Sequence, residues 1–150
     1  MPPEPDTRIG RIASPAAGEA LARSVRPGGK EVAPLLVSLP DLTITRLYLS
    51  GTGTSTCLNV VLANEGAADA YNVGVQVKQK HLGNPDGITR SFPYQASVIH
   101  PGQSVTVTYN IYTTFGRLNE PGNMVYSAKV DYLNQIVESN ENNNTAQVYS

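Results

Sequence analysis

From Leu42 onward, apolar and polar residues alternate with a period of two, the mark of strands with one buried face. Leu42 and Ile44 keep one phase and Leu47 and Leu49 the other, which predicts a bulge near Thr45-Arg46. Beyond the turn Ser50-Gly51-Thr52-Gly53, Leu58, Val60 and Leu62 face one way until Asn64-Glu65-Gly66 ends the run. Val73, Val75 and Val77 alternate with Asn72, Gly74, Gln76 and Lys78, the cleanest strand signal in the chain. Asn84-Pro85-Asp86-Gly87 reads as a loop, a short strand runs from about Gln95 to Ile99, and His100-Pro101-Gly102-Gln103 is a turn. Val105, Val107, Tyr109 and Ile111 alternate with Thr106, Thr108 and Asn110. Tyr126, Ala128 and Val130 mark a sixth strand, and Ala146 and Val148 a seventh. Short strands divided by turn residues, with no helical period among them, predict an all-β fold. Over residues 40–150 this is a seven-stranded antiparallel sandwich of the immunoglobulin or fibronectin-III kind.

The first 39 residues follow other rules. Six prolines fall within the first 34 residues, and the period of two is missing there. Ser14-Pro15 suits the start of a short helix over residues 15–25, with Ser14 as N-cap and Pro15 in the first turn. Ala17, Leu21 and Val25 then share a face, Arg23 and Arg26 suit the negative end of the dipole, and Pro27-Gly28-Gly29 ends the helix. So short a helix does not persist alone in water and needs a surface to lie on. Val32 to Leu39 is apolar and broken by Pro34, better suited to an extended docking strip than to a central strand. Residues 1–39 are thus expected to form an arm whose partner-binding anchors are Leu21, Val25, Leu35, Leu36, Val37 and Leu39.

Composition narrows the function. Charged residues are 15% of the chain and apolar ones 40%, enough for a packed core. The net charge is −1, so there is no basic field of the kind that nucleic acid requires. No apolar run is long enough for a membrane span, and Met-Pro-Pro-Glu-Pro-Asp has neither the basic nor the apolar segment of a signal peptide. Cys57 is the only cysteine, which excludes an intrachain disulfide and a cysteine-based zinc site. His81 and His100 stand in loop signals without a nucleophile motif, and Gly51-Thr52-Gly53 has no following helix to make it a phosphate loop. No enzyme is expected.

The closing stretch from Val130-Asp131-Tyr132 through Glu138-Ser139-Asn140-Glu141 to Asn142-Asn143-Asn144 resembles the signature of the CARDB family, a cell-adhesion-related domain of bacteria and archaea. Pro40-Asp41-Leu42, Asn64-Glu65-Gly66 and Pro101-Gly102-Gln103-Ser104 fit the same pattern, in order, across residues 40–149. The resemblance implies an Ig-like sandwich used in surface, adhesive and accessory modules, and it fixes no single ligand.

Asp131, Glu138 and Glu141, with Asn134, Asn140 and Asn142, gather oxygen ligands in one connection. Calcium takes about six to eight oxygens, so these three carboxylates are the candidate metal ligands, although the spacing matches no EF-hand loop. Asn and Asp also cap turns by bonding their own backbone, and that reading is favoured, with no cofactor expected. Tyr126, two residues before the small Ala128, resembles the tyrosine corner of Ig-type sandwiches, where the hydroxyl bonds nearby backbone. Tyr48, Tyr71, Tyr94, Tyr112, Tyr132 and Tyr149 suit a carbohydrate platform or a protein interface equally.

Ordering an arm of this length costs on the order of 40 kcal/mol or more of backbone entropy. Offsetting that by burial needs roughly 1,600 Å² of apolar contact, more than a small sandwich has to spare. The expected function is therefore structural: an Ig-like module docked through its arm onto neighbouring subunits, its own copies or others, of an assembly such as a virion surface. The alternatives are a secreted adhesive or carbohydrate-binding module at the cell surface, and an accessory domain of a larger enzyme.

Overall fold

The computed structural model describes residues 19–22 and 35–150 of the chain. Two short strands, β1 (Glu19–Ala22) and β2 (Leu35–Ser38), pair antiparallel in a sheet of their own. The remaining strands are β3 (Leu42–Ser50), β4 (Cys57–Asn64), β5 (Ala70–His81), β6 (Gly87–Ile99), β7 (Ser104–Asn110), β8 (Met124–Val130) and β9 (Thr145–Tyr149). They form two antiparallel sheets, β3-β4-β7 and β6-β5-β8-β9, in the expected seven-stranded sandwich.

The period-two residues become the core. Leu58, Val60 and Leu62 of one sheet and Val73, Val75 and Val77 of the other are fully buried, together with Leu42, Ile99, Tyr126 and Val130. The bulge foreseen at Thr45-Arg46 is present as a register shift between Ile44 and Arg46. It reverses the facing of the strand, so that Leu42, Ile44, Leu47 and Leu49 all reach the core.

Three expectations are corrected. Residues 19–22, expected in a helix over residues 15–25, are strand; the rest of that segment, Val25 included, lies outside the described residues. Leu35–Ser38 supplies the ladder partners for Glu19–Ala22, a pairing that a local helical spacing cannot reveal. β6 begins at Gly87 rather than near Gln95. Between Phe92 and Ala96 it bulges around Pro93 against Gly74 of β5, which lets a proline sit inside a long strand. Ile111 is buried as expected, but it opens a single helical turn, α1 (Ile111–Phe115). Asn110 caps that turn by accepting from Thr113 N–H at 3.0 Å, and Gly116 ends it in the left-handed conformation.

Asn64-Glu65-Gly66 acts as a clasp between strands. The buried Asn64 amide oxygen accepts from the N–H groups of Asp41 and Gly66, both at 3.0 Å. Its NH₂ donates to the carbonyls of Ala68 (2.7 Å) and Ile99 (2.9 Å). Gly66 lies against the Leu39–Asp41 backbone so closely that any Cβ would collide with it.

Candidate functional site

The signature stretch forms the connection between β8 and β9, folded back over the start of β3. Asp131 follows the last core valine of β8 and takes a left-handed backbone (φ 51°), which turns the chain off the sheet. Its two carboxylate oxygens accept from the N–H groups of Gln135 (3.1 Å) and Ile136 (3.2 Å), so the side chain builds the turn itself. Asn140 caps a second turn by accepting from Asn142 N–H at 2.9 Å.

Glu138 is buried and ties this connection to the sandwich. It accepts from Leu42 N–H at 2.6 Å, and both of its oxygens accept from Asn144 Nδ2, at 3.2 and 3.0 Å. The same Asn144 amide donates to the Leu42 carbonyl at 3.0 Å, and Asn143 donates to Asp41 Oδ1 at 2.8 Å. Glu138 thus caps the first residue of β3 from 96 positions away.

The structure brings all three candidate ligands together: one oxygen each of Asp131, Glu138 and Glu141 lies within 4.8 Å of the others. That is a fitting oxygen set for a hard cation such as calcium. In the protein alone, burial pushes the Glu138 carboxyl up to about 8; the Leu42 N–H opposes this, the adjoining Glu141 carboxylate adds to it and Asn144 opposes it. Near neutrality Glu138 then keeps its proton beside Glu141.

A measurable pH dependence follows. With its folded pKa raised above the ordinary carboxylate value, Glu138 stabilises the fold fully below about pH 4.5, and this contribution is lost as pH rises through about 8. The melting temperature is expected to fall by several degrees between pH 5 and pH 8 in a chelator-containing buffer. Glu138→Gln, which keeps an acceptor for Leu42 N–H, should remove that fall. The backbone bonding of Asp131 and Glu138 favours the capping role, so neither chelator nor millimolar calcium should shift the melting point at pH 7. A calcium-dependent rise that Asp131→Asn with Glu138→Gln abolishes would assign the cluster to a cation instead.

Tyr126 is fully buried, and its hydroxyl is held by side chains where nearby backbone was expected. It donates to Asn119 Oδ1 at 3.0 Å and accepts from Gln79 Nε2 at 3.1 Å. Gln79 also donates to the Arg117 carbonyl and accepts from Arg117 Nε, each at 3.0 Å. Sequence reasoning missed Gln79, although it continues the inward phase of Val73, Val75 and Val77.

Each histidine pairs with a carboxylate. His81 Nε2 meets Glu120, and His100 Nδ1 lies 2.8 Å from Asp69, which also accepts from the Tyr71 hydroxyl at 3.0 Å. Among the described residues each imidazole is bonded to a carboxylate and neither to a serine, threonine or cysteine. No helix there is long and apolar enough to cross a membrane.

Of the arm anchors, Leu21 lies in β1, Leu35, Leu36 and Val37 lie in β2, and Leu39 follows β2, its carbonyl accepting from Ala67 N–H at 3.0 Å. Among the expected aromatic residues, Tyr71, Tyr94, Tyr112 and Tyr149 are exposed. They stand on β5, β6, α1 and β9.

No curated protein sequence matches the chain. Among solved structures, the solution structure of the CARDB domain of a Pyrococcus furiosus protein is 23% identical with a TM-score of 0.51, over 74% of this chain and 93% of that one. A crystal structure of the same domain in complex with di-metal ions is 25% identical with a TM-score of 0.46, over 73% of this chain and 84% of that one. β-Glucosidase 3B from Thermotoga neapolitana, in complex with glucose, is 17% identical with a TM-score of 0.37, over 82% of this chain and 18% of the enzyme. The CARDB family model matches residues 39–148, the whole span in which Glu138, Asn144 and Asn64 lock the connections to β3. The chain therefore belongs to the CARDB family of non-catalytic, adhesion-related domains associated with cell-surface and extracellular proteins.

Proposed function

We propose that this CARDB sandwich is a structural module that docks through residues 1–39 onto neighbouring subunits of an assembly, its own copies first, in the manner of a protein decorating a virion surface. One observation supports this reading above the others: β1 and β2 pair with each other and add to neither sheet of the sandwich. A two-stranded ribbon alone in water is marginally stable at best, because it has nothing to bury its apolar residues against. Leu21, Leu35, Leu36 and Val37 make this ribbon apolar, so a partner surface is the natural cover for it.

The parent protein should scatter light as an oligomer at micromolar concentration, and Leu35→Asp with Leu36→Asp should abolish that oligomer while leaving the sandwich melting within a few degrees of the parent. Unchanged scattering would refute docking through the arm. The adhesive surface-module reading would then stand in its place, on the strength of the exposed Tyr71, Tyr94 and Tyr149.

A further inference from the structure

The four strands of the β6-β5-β8-β9 sheet contain no aspartate or glutamate, although the chain has 12 acidic residues and a net charge of −1. The same strands carry Lys78, Lys80, Arg90 and Lys129. The register places three of these cations on one face. Gln76 of β5 is opposite Lys129 of β8, which is opposite Thr145 of β9; Lys78 is opposite Ser127, which is opposite Gln147. In the next row Lys80 is opposite Val125, and Val125 opposite Tyr149. Val77 and Ala128, one residue out of phase, point into the core, so all three rows face outward.

The first two rows line an open groove of about 590 Å³ on the outer surface of the sheet. That size lies within the range of roughly 300–1,000 Å³ usual for sites that take small ligands or short chain segments. Amides, hydroxyls and ammonium groups line it together with Val77, Ala128 and Ala146, and Gln76 donates to Ser91 Oγ at 3.1 Å. Among the described residues no carboxylate pairs with the three lysines. Rows repeat about every 6.8 Å along the strands and about 4.8 Å across them, so the cations are spread along the groove rather than focused at a point.

We infer that this face binds an anionic polysaccharide. Charge complementarity sets the sign of the ligand, and the lining sets its class. Gln76, Ser127, Thr145 and Gln147 present the donors and acceptors that sugar hydroxyls need, while Lys78 and Lys129 meet the carboxylate or sulfate groups. Tyr149, exposed at the end of the third row, offers an aromatic face to a sugar ring. A single-stranded nucleic acid would need a run of stacking aromatics, and no aromatic residue lines the groove. The site is distant in kind from the arm and does not depend on docking through it.

The test is binding of the full-length protein to oligogalacturonate and to heparin, read by titration calorimetry at low and high salt. At least one should bind, with affinity falling as salt rises, while neutral dextran does not. Lys78→Gln with Lys129→Gln should weaken binding tenfold or more, and Gln147→Ala severalfold, both at an unchanged melting temperature. Oligogalacturonate and heparin would separate recognition of carboxylate from that of sulfate. Absence of binding to both, equal binding to dextran, or equal binding to polyglutamate or an oligonucleotide would overturn the inference. Persistence of binding in the double-lysine variant would do so too.

Discussion

Val75→Asp is expected to abolish cooperative unfolding. Val75 is fully buried at the middle of β5, opposite Phe92 of β6 on one side and Val130 of β8 on the other. An aspartate there would place an unpaired charge among aliphatic side chains, at a cost of several kcal/mol even if it takes up a proton. That is comparable with the whole stability of a domain of this size, about 5–15 kcal/mol. Gln76→Asp, one residue further on, faces the outer groove and should fold with a melting temperature only slightly lowered. Circular dichroism melts of the pair test the register of the strand: a folded Val75→Asp protein would mean that β5 is turned over.

Asn64→Ala should lower the melting temperature by roughly 10–20 °C, for a loss of about 3–5 kcal/mol. The substitution removes four hydrogen bonds at once, to Asp41, Gly66, Ala68 and Ile99. It also strands the buried Asp41 N–H and leaves the part-buried Gly66 N–H without its acceptor. Asn64→Asp can still accept from Asp41 and Gly66 N–H, but it loses the NH₂ group that donates to Ala68 and Ile99 and points charge at those two carbonyls, so it should fall near the alanine variant. If both variants melt like the parent, the clasp at Asn64 contributes little and the order of β3 rests on Glu138 and Asn144 alone.

These two positions also show how much of the molecule could be read in advance. The strands that alternate cleanly were legible because burial on one face leaves a direct trace in the sequence, and even the bulge at Thr45-Arg46 appeared as a change of phase. The full length of β6 is not legible, because Pro93 and the Asn84-Pro85-Asp86-Gly87 loop both argue locally against a strand. Only the pairing with β5, and the bulge facing Gly74, makes the longer strand affordable in hydrogen bonds. The strand at Glu19–Ala22 carries a helical spacing and is hidden for a similar reason, since its partner begins at Leu35.

The site was half legible. Asp131, Glu138 and Glu141 were recognisable as oxygen donors, and Asn and Asp as turn cappers, because those roles follow from side-chain chemistry. The Leu42 N–H that Glu138 caps lies across 96 residues of chain, and no local pattern points to it. Tyr126 was identifiable as buried and structural, while its partners, Gln79 and Asn119, come from two other segments. The polar phase of β5 is legible in the sequence, but the outward rows and their groove are not, because they exist only once the register sets Gln76, Lys78 and Lys80 beside residues of β8 and β9.

Docking through the arm is tested most directly by sedimentation velocity of the full chain and of residues 40–150 at the same micromolar concentration. The full chain should sediment as an oligomer and the truncated one as a monomer, with the sandwich melting within a few degrees in both, as the proposed docking through the arm requires. The same association state with and without residues 1–39 would contradict it.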